Sequence, residues 1–159
     1  EEKAIKAHTS VALIRKMRHG DNSVEVAKSY LTLGKSFLNS DHNDKAIKSF
    51  NKAMTIFGKD NDANNTNIEN LMDTLHQIGL VHRENGKLNQ ALKAFTKELS
   101  IRKKSLPDDR LSIAITLAAI GGVYSDLKKN EYALQHYFQS LDLIHCGFLE
   151  NGYPRKSSK

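Results

Sequence analysis

The sequence predicts an all-α solenoid of stacked antiparallel helix pairs, and three observations carry that prediction. Between punctuation points the apolar residues recur in steps of three and four, as in Tyr30, Leu33, Phe37 and then Ala46, Ile47, Phe50, Met54. That is the period of a helix buried along one face. Proline, which breaks helices, occurs only at Pro107 and Pro154. The chain also repeats itself: Gly34, Gly79 and Gly121 overlay at spacings of 45 and 42 residues, and the rest falls into register. Four residues before each glycine stands Tyr30, Leu75 or Leu117, and one before it Leu33, Ile78 or Ile120. Three after it comes a ring (Phe37, His82, Tyr124), twelve after it an alanine (Ala46, Ala91, Ala133), and four beyond that an aromatic (Phe50, Phe95, Tyr137). Small residues in both helices of a hairpin let the axes approach, and the large residues one turn away fill the grooves between them. A hairpin cannot bury its outer apolar face alone, so hairpins stack.

The elements follow in order from their punctuation. Residues 3–19 read as the second helix of a repeat whose first helix is missing, because 42 residues before Ala46 stands Ala4. Gly20-Asp21-Asn22 ends it, and further breaks fall at Asn39 to Asn43, Gly58 to Asn67, Asn85-Gly86, Leu106 to Asp109, Lys128-Lys129-Asn130 and from Gly147 onward. About seven helices remain. The expected organisation is a truncated repeat over 1–22, three repeats over 23–67, 68–109 and 110–147, and a flexible basic tail over 148–159. The start at Glu1 and the lack of a closing cap helix suggest a piece of a longer array, or one whose last apolar face (Leu134, Phe138, Leu141) is covered by another chain.

Composition narrows the function classes. The chain has 159 residues, 39% apolar and 26% charged, as expected of a folded domain rather than a disordered one. A lone Cys146 makes neither an intramolecular disulfide nor a four-ligand zinc site. No apolar run reaches the ~18–20 residues of a membrane span, and no secretory leader is recognisable. The expectation is a soluble, cytoplasmic protein without a membrane partner, in which the sequon Asn64-Asn65-Thr66 of an Asn-rich loop is fortuitous. The net charge of +6 is unevenly spread: +2 over 1–22, 0 over 23–71, +3 over 72–113, −2 over 114–154 and +3 over 155–159. No sustained basic stripe with interleaved readers appears, so nucleic acid is not expected as a partner. Arg102-Lys103-Lys104 reads as a solvated helix C-terminus that complements the dipole.

Catalytic signals are weak. Gly34-Lys35-Ser36 lacks the earlier glycine of a phosphate-binding loop, Ser29 standing in its place, and it lies within a helix whose amides are already engaged. The seven histidines show no pair spaced for a common metal, and His82 occupies a ring position of the core pattern. Cys146 beside His145 has no arrangement for nucleophilic chemistry, because adjacent helical residues point apart. Asp108-Asp109 precede a helix, where they serve as caps. No enzyme, metal site or cofactor is expected.

An apolar residue, a Gly, a ring, an Ala and an aromatic at these offsets resemble the tetratricopeptide repeat (TPR). The usual repeat has about 34 residues, and the longer spacing here looks like that of kinesin light chain. The stretches 11–37 (VALIRKMRHGDNSVEVAKSYLTLGKSF) and 91–124 (ALKAFTKELSIRKKSLPDDRLSIAITLAAIGGVY) are the most similar, and the resemblance covers about residues 4–145. It implies a right-handed superhelix whose first helices line a concave groove, and recognition there of short linear peptide motifs. Outward positions of those helices are Lys28, Leu31, Thr32, Lys35 and Asn39, then Asp73, His76, Gln77, Leu80 and Arg83, then Ile115, Ala118, Ala119, Gly122 and Ser125. The groove is thus expected to be mildly basic at one end and small and apolar at the other. Such a surface suits an extended acidic/apolar peptide in an adaptor or scaffold role, with Lys28, Thr32, Lys35, Asn39, His76, Gln77, Leu80 and Arg83 as contacts. The chain departs from the family at the paired asparagines that hold the peptide backbone, where it has Leu31-Thr32, His76-Gln77 and Ala118-Ala119. Nor do Lys28, Lys35 and Arg83 reproduce the carboxylate clamp of chaperone-binding repeats. The alternative is a structural segment that forms homo-oligomers through its uncapped terminal helix and takes no peptide.

Overall fold

The computed structural model describes residues 2–59 and 65–150. Seven helices lie among them: α1 (Glu2–His19), α2 (Val24–Leu38), α3 (Asn43–Phe57), α4 (Asn65–Glu84), α5 (Leu88–Ser105), α6 (Arg110–Asp126) and α7 (Asn130–Glu150). The chain divides into two compact units, residues 1–85 and 86–159.

In the first unit α1 packs on α2, α2 on α3 and α3 on α4. Ser23 caps α2 by accepting the Val26 amide at 3.3 Å. Val26, Ala27, Ala46, Phe50 and Ala53 are fully buried, and the small residues among them are what bring the hairpin axes together. The closest approach is at Gly34, where an added Cβ would lie 2.6 Å from Phe50 Cδ1. The second unit repeats the device. α6 packs on both α5 and α7, and a Cβ on Gly121 would meet Tyr137 Cε1 at 2.9 Å.

The turn inside each repeat is also the same. Asp41, Gly86 and Lys128, each seven residues after a repeat glycine, all adopt the left-handed conformation (φ 57°, 69° and 60°). In the first and third copies the next amide donates back across the helix end, His42 to the Phe37 carbonyl and Lys129 to the Tyr124 carbonyl, both at 2.9 Å. This is the bonding of a Schellman terminus. It uses carbonyls that the helix leaves unpaired and points the chain into its return helix.

Three sequence expectations need correction. Helix α4 begins at Asn65, so Asn65 and Thr66 belong to a helix rather than to a loop. Helix α7 runs through Gly147 to Glu150, three residues beyond the expected end. Glycine costs a helix only about 1 kcal/mol and keeps its amide, so it does not stop one as proline does. The remainder of the expected tail, 151–159, lies outside the described residues, as does the side chain of Cys146. Finally, Arg102 is not solvated. Its side chain is only 15% exposed, and its Nε donates to Glu98 Oε1 at 2.8 Å. Glu98 is fully buried and also accepts from the Thr116 hydroxyl at 3.0 Å, which ties α5 to α6. Lys103 and Lys104 do remain exposed. Asp109 caps α6 as expected, accepting the Ser112 amide at 3.1 Å.

Candidate peptide-binding surface

Lys28, Thr32, Lys35 and Asn39 fall at steps of four, three and four along α2, and all four are exposed. A helix places such residues in one stripe, here about 16 Å long at 1.5 Å per residue. Thr32 turns its hydroxyl back to the Lys28 carbonyl at 3.0 Å, which leaves its methyl outward. Asn39 is the C-cap residue of α2, its amide bonded to the Lys35 carbonyl.

The α4 residues His76, Gln77, Leu80 and Arg83 are half-buried, so they present edges rather than whole side chains. The two helices are joined across this face by Lys35 Nζ and Asp73 Oδ2 at 2.7 Å. Gln77 Nε2 stands 3.5 Å from the other oxygen of Asp73. The structure therefore brings Lys35, Asp73 and Gln77 together, and one of the expected cations already has an anion beside it.

Two expected groove positions fall elsewhere. Leu31 is 7% exposed and belongs to the core, and Gly122 is buried. In the second unit Ile115 is exposed as expected and Ala118 and Ala119 are half-buried. Leu111, which the sequence reading omitted, lies one turn before Ile115 and is 62% exposed. Its signal was the step of four between two large apolar residues on a helix already rich in them.

Elsewhere in the first unit, a cavity of about 410 Å³ is lined by Lys16, Asp21, Tyr30, Lys52 and neighbours. Lys16 pairs with Asp21 at 3.1 Å, and Lys52 Nζ sits 4.9 Å from the Tyr30 ring centre. His8 Nδ1 meets the Ser36 hydroxyl at 2.7 Å, which places Ser36 against α1. Among the described residues no three of His, Cys, Asp and Glu gather as a metal ligand set. No helix of those residues is long and apolar enough to cross a membrane.

Residues 70–144 match one tetratricopeptide-repeat family model and residues 27–60 another. The chain belongs to the TPR family. No curated protein matches its sequence. Among solved structures it is similar to BtubC (BKLC) from P. vanneervenii, at 17% identity and a TM-score of 0.83 over 99% of this chain and 62% of that one. It is also similar to a Podosopora anserina structure of nearly identical TPR-like repeats assigned to a kinesin light chain, in its Q17M form. There the identity is 13% and the TM-score 0.76, over 89% of this chain and 66% of that one. This TPR chain thus spans less than two thirds of either relative, and at such identities the likeness is one of fold: an all-α helical-repeat solenoid of the kind seen in kinesin-light-chain-like proteins. TPR folds are in general interaction modules that bind other proteins and carry out no catalysis.

Proposed function

We propose that the chain binds an extended acidic/apolar segment of a partner protein along the α2 and α4 face, as a cytoplasmic adaptor or scaffold without enzymatic activity. The observation that carries this reading is the exposed stripe Lys28, Thr32, Lys35, Asn39 with the Lys35–Asp73 pair at its centre. An extended peptide advances about 3.3–3.6 Å per residue, so a 16 Å stripe matches four or five residues. Lys28 and Lys35 attract carboxylates, and the Thr32 methyl and the Leu80 edge supply apolar contact between them. A ligand carboxylate at Lys35 has to compete with Asp73, but both side chains are well exposed (48% and 39%). Such pairs are worth only ~0–1 kcal/mol, so the exchange is cheap. Charge then steers encounter and sets register, while desolvated apolar contacts supply most of the affinity.

A peptide-display selection against the chain tests this. Acidic sequences with a bulky apolar residue should be enriched, and Lys35→Glu with Arg83→Glu should abolish their binding. Selected binders indifferent to both substitutions would remove the proposal.

A further inference from the structure

Asparagine followed by glycine is a chemically labile pair, because glycine has no side chain to shield its amide nitrogen from the neighbouring carboxamide carbon. The chain holds two such pairs, Asn85-Gly86 and Asn151-Gly152. The second lies outside the described residues. Asn85 follows the last residue of α4 and is exposed. Its own amide closes that helix on the Val81 carbonyl at 3.0 Å. Gly86 has a φ of 69°, and a Cβ added there would meet nothing within 4 Å beyond its chain neighbours, so water reaches the pair.

A partner on α3 sets Asn85 apart from an Asn-Gly pair in an open loop. Asn43 Nδ2 donates to Asn85 Oδ1 at 3.0 Å. Asn43 is the first residue of α3, so that oxygen also lies toward the positive end of the helix dipole. When a nucleophile attacks Cγ of Asn85, negative charge develops on Oδ1. A donor already aimed at that oxygen stabilises the charge as it forms, as the donors of an oxyanion hole do. The nucleophile needs no further placing. The Gly86 nitrogen is joined to Asn85 by the peptide bond itself, and its attack on Cγ closes a five-membered ring, with the rate advantage of an intramolecular reaction.

We propose that Asn85 is a self-modifying residue, which deamidates through a cyclic imide while Asn43 Nδ2 stabilises the oxyanion of the tetrahedral intermediate. The Gly86 amide gives its proton to hydroxide, and its nitrogen bonds to Cγ. The oxyanion then collapses to a carbonyl, the Cγ–Nδ2 bond breaks, and Nδ2 takes a proton from water and leaves as ammonia. Hydroxide opens the imide at either carbonyl. Attack at Cγ breaks its bond to the Gly86 nitrogen and gives an aspartate; attack at the main-chain carbonyl carbon breaks the original peptide bond and gives an isoaspartate. Water enters, ammonia leaves, and nothing is oxidised or reduced. Either product adds one negative charge after α4. The aspartate carboxylate keeps the Asn43 amide as its donor, whereas the isoaspartate lengthens the main chain by a carbon. The proposal does not rest on peptide binding by α2 and α4.

Incubation of the full chain in mildly alkaline buffer, followed by peptide mapping with mass spectrometry and enzymatic methylation of isoaspartyl groups, is the test. The peptide containing Asn85 should gain the mass difference between a hydroxyl and an amino group, at a rate that rises with pH. Asn151 in the same tube serves as the internal clock. Asn43→Ala and Asn43→Asp, which remove the donor, should each slow conversion at Asn85 relative to Asn151 by about fivefold, the worth of one exposed hydrogen bond. Asn85→Gln should abolish conversion at that position, because its ring would have six members and closes far more slowly. All three variants should retain the far-UV dichroism of the parent, since Asn43 is half-buried and Asn85 exposed. In concentrated urea the contact is gone, and the parent and both Asn43 variants should convert Asn85 at one rate. An Asn85 still intact when Asn151 has converted would overturn the proposal. So would a folded-state rate that both Asn43 substitutions leave unchanged or raise, or a slowing that persists in urea.

Discussion

Replacing Gly34 by alanine probes the contact on which the hairpin of α2 and α3 is built. The new methyl would stand 2.6 Å from Phe50 Cδ1 and 2.9 Å from Cζ, well inside the ~3.5–4.0 Å at which carbon atoms pack. Phe50 is 0% exposed, so its ring has no solvent to swing into and the helices must separate. Overpacking of this kind costs about 1–3 kcal/mol, and the better helix propensity of alanine returns about 0.5–1 kcal/mol. The net expectation is a loss of ~1–2 kcal/mol, several degrees in Tm for a domain of this size. Gly121→Ala is the internal control. There the ring is Tyr137, 37% exposed, which can tilt outward, leaving a contact of 3.2 Å to the Ala133 carbonyl. Its cost should stay within about 0.5 kcal/mol of zero once propensity is included. Urea unfolding followed by far-UV dichroism measures both. Phe50→Leu placed on top of Gly34→Ala should recover part of the loss, giving a favourable coupling between two substitutions that each destabilise alone. Equal costs at the two glycines, or a Gly34→Ala protein more stable than the parent, would refute the reasoning.

Glu98→Ala should cost about 1–3 kcal/mol, because it takes a buried acceptor from Arg102, which keeps Asp109 at 3.8 Å, and from the Thr116 hydroxyl, which keeps the Ser112 carbonyl at 2.9 Å, whereas Glu98→Gln keeps an acceptor and should cost less; chemical denaturation reads both. Lys128→Gly removes a side chain from a left-handed residue (φ 60°) and should stabilise by ~0.5–1 kcal/mol, while Gly86→Ala at the matching position should destabilise by about 1 kcal/mol, both seen as shifts in Tm. Asp109→Ala should lose about 0.5–2 kcal/mol with the cap of α6, and Asp109→Asn should retain most of it. Asp73→Asn leaves Lys35 without its anion. Calorimetric titration should find acidic peptides bound up to about fivefold more tightly, with stability changed by less than about 1 kcal/mol.

Which parts of this molecule the sequence discloses depends on how local their causes are. The helix pairs were legible because their signal is a contact repeated at fixed offsets: Gly34 with Phe50 and Gly121 with Tyr137 are each sixteen residues apart, and the structure brings both pairs together. The turn between them was only half legible. All three copies adopt the left-handed residue seven positions on, but only Gly86 advertises it, since Asp41 and Lys128 accept the strain in return for bonding the preceding helix end. Arg102 was misread for a related reason. In the run Arg102-Lys103-Lys104 it looks like part of a solvated helix end, and its partner Glu98 is tied to α6 through Thr116, eighteen residues further on.

The same distinction explains the candidate surface. A helical wheel treats the first helix of a repeat as covered on one side by its own partner, and on that basis Leu31 and Gly122 face outward. Helix α2 in fact meets α1, α3 and α4. Its open stripe is the row Glu25, Lys28, Thr32, Lys35, Asn39, and Leu31 on its flank is enclosed. Residue type could have pointed there, because the row that stays wet in a helix with three neighbours is the one with no large apolar side chain. On α6 that criterion fails. Leu111 and Ile115 are large, apolar and exposed on a helix whose other faces are apolar as well, so residue type alone does not separate its wet row from its buried ones.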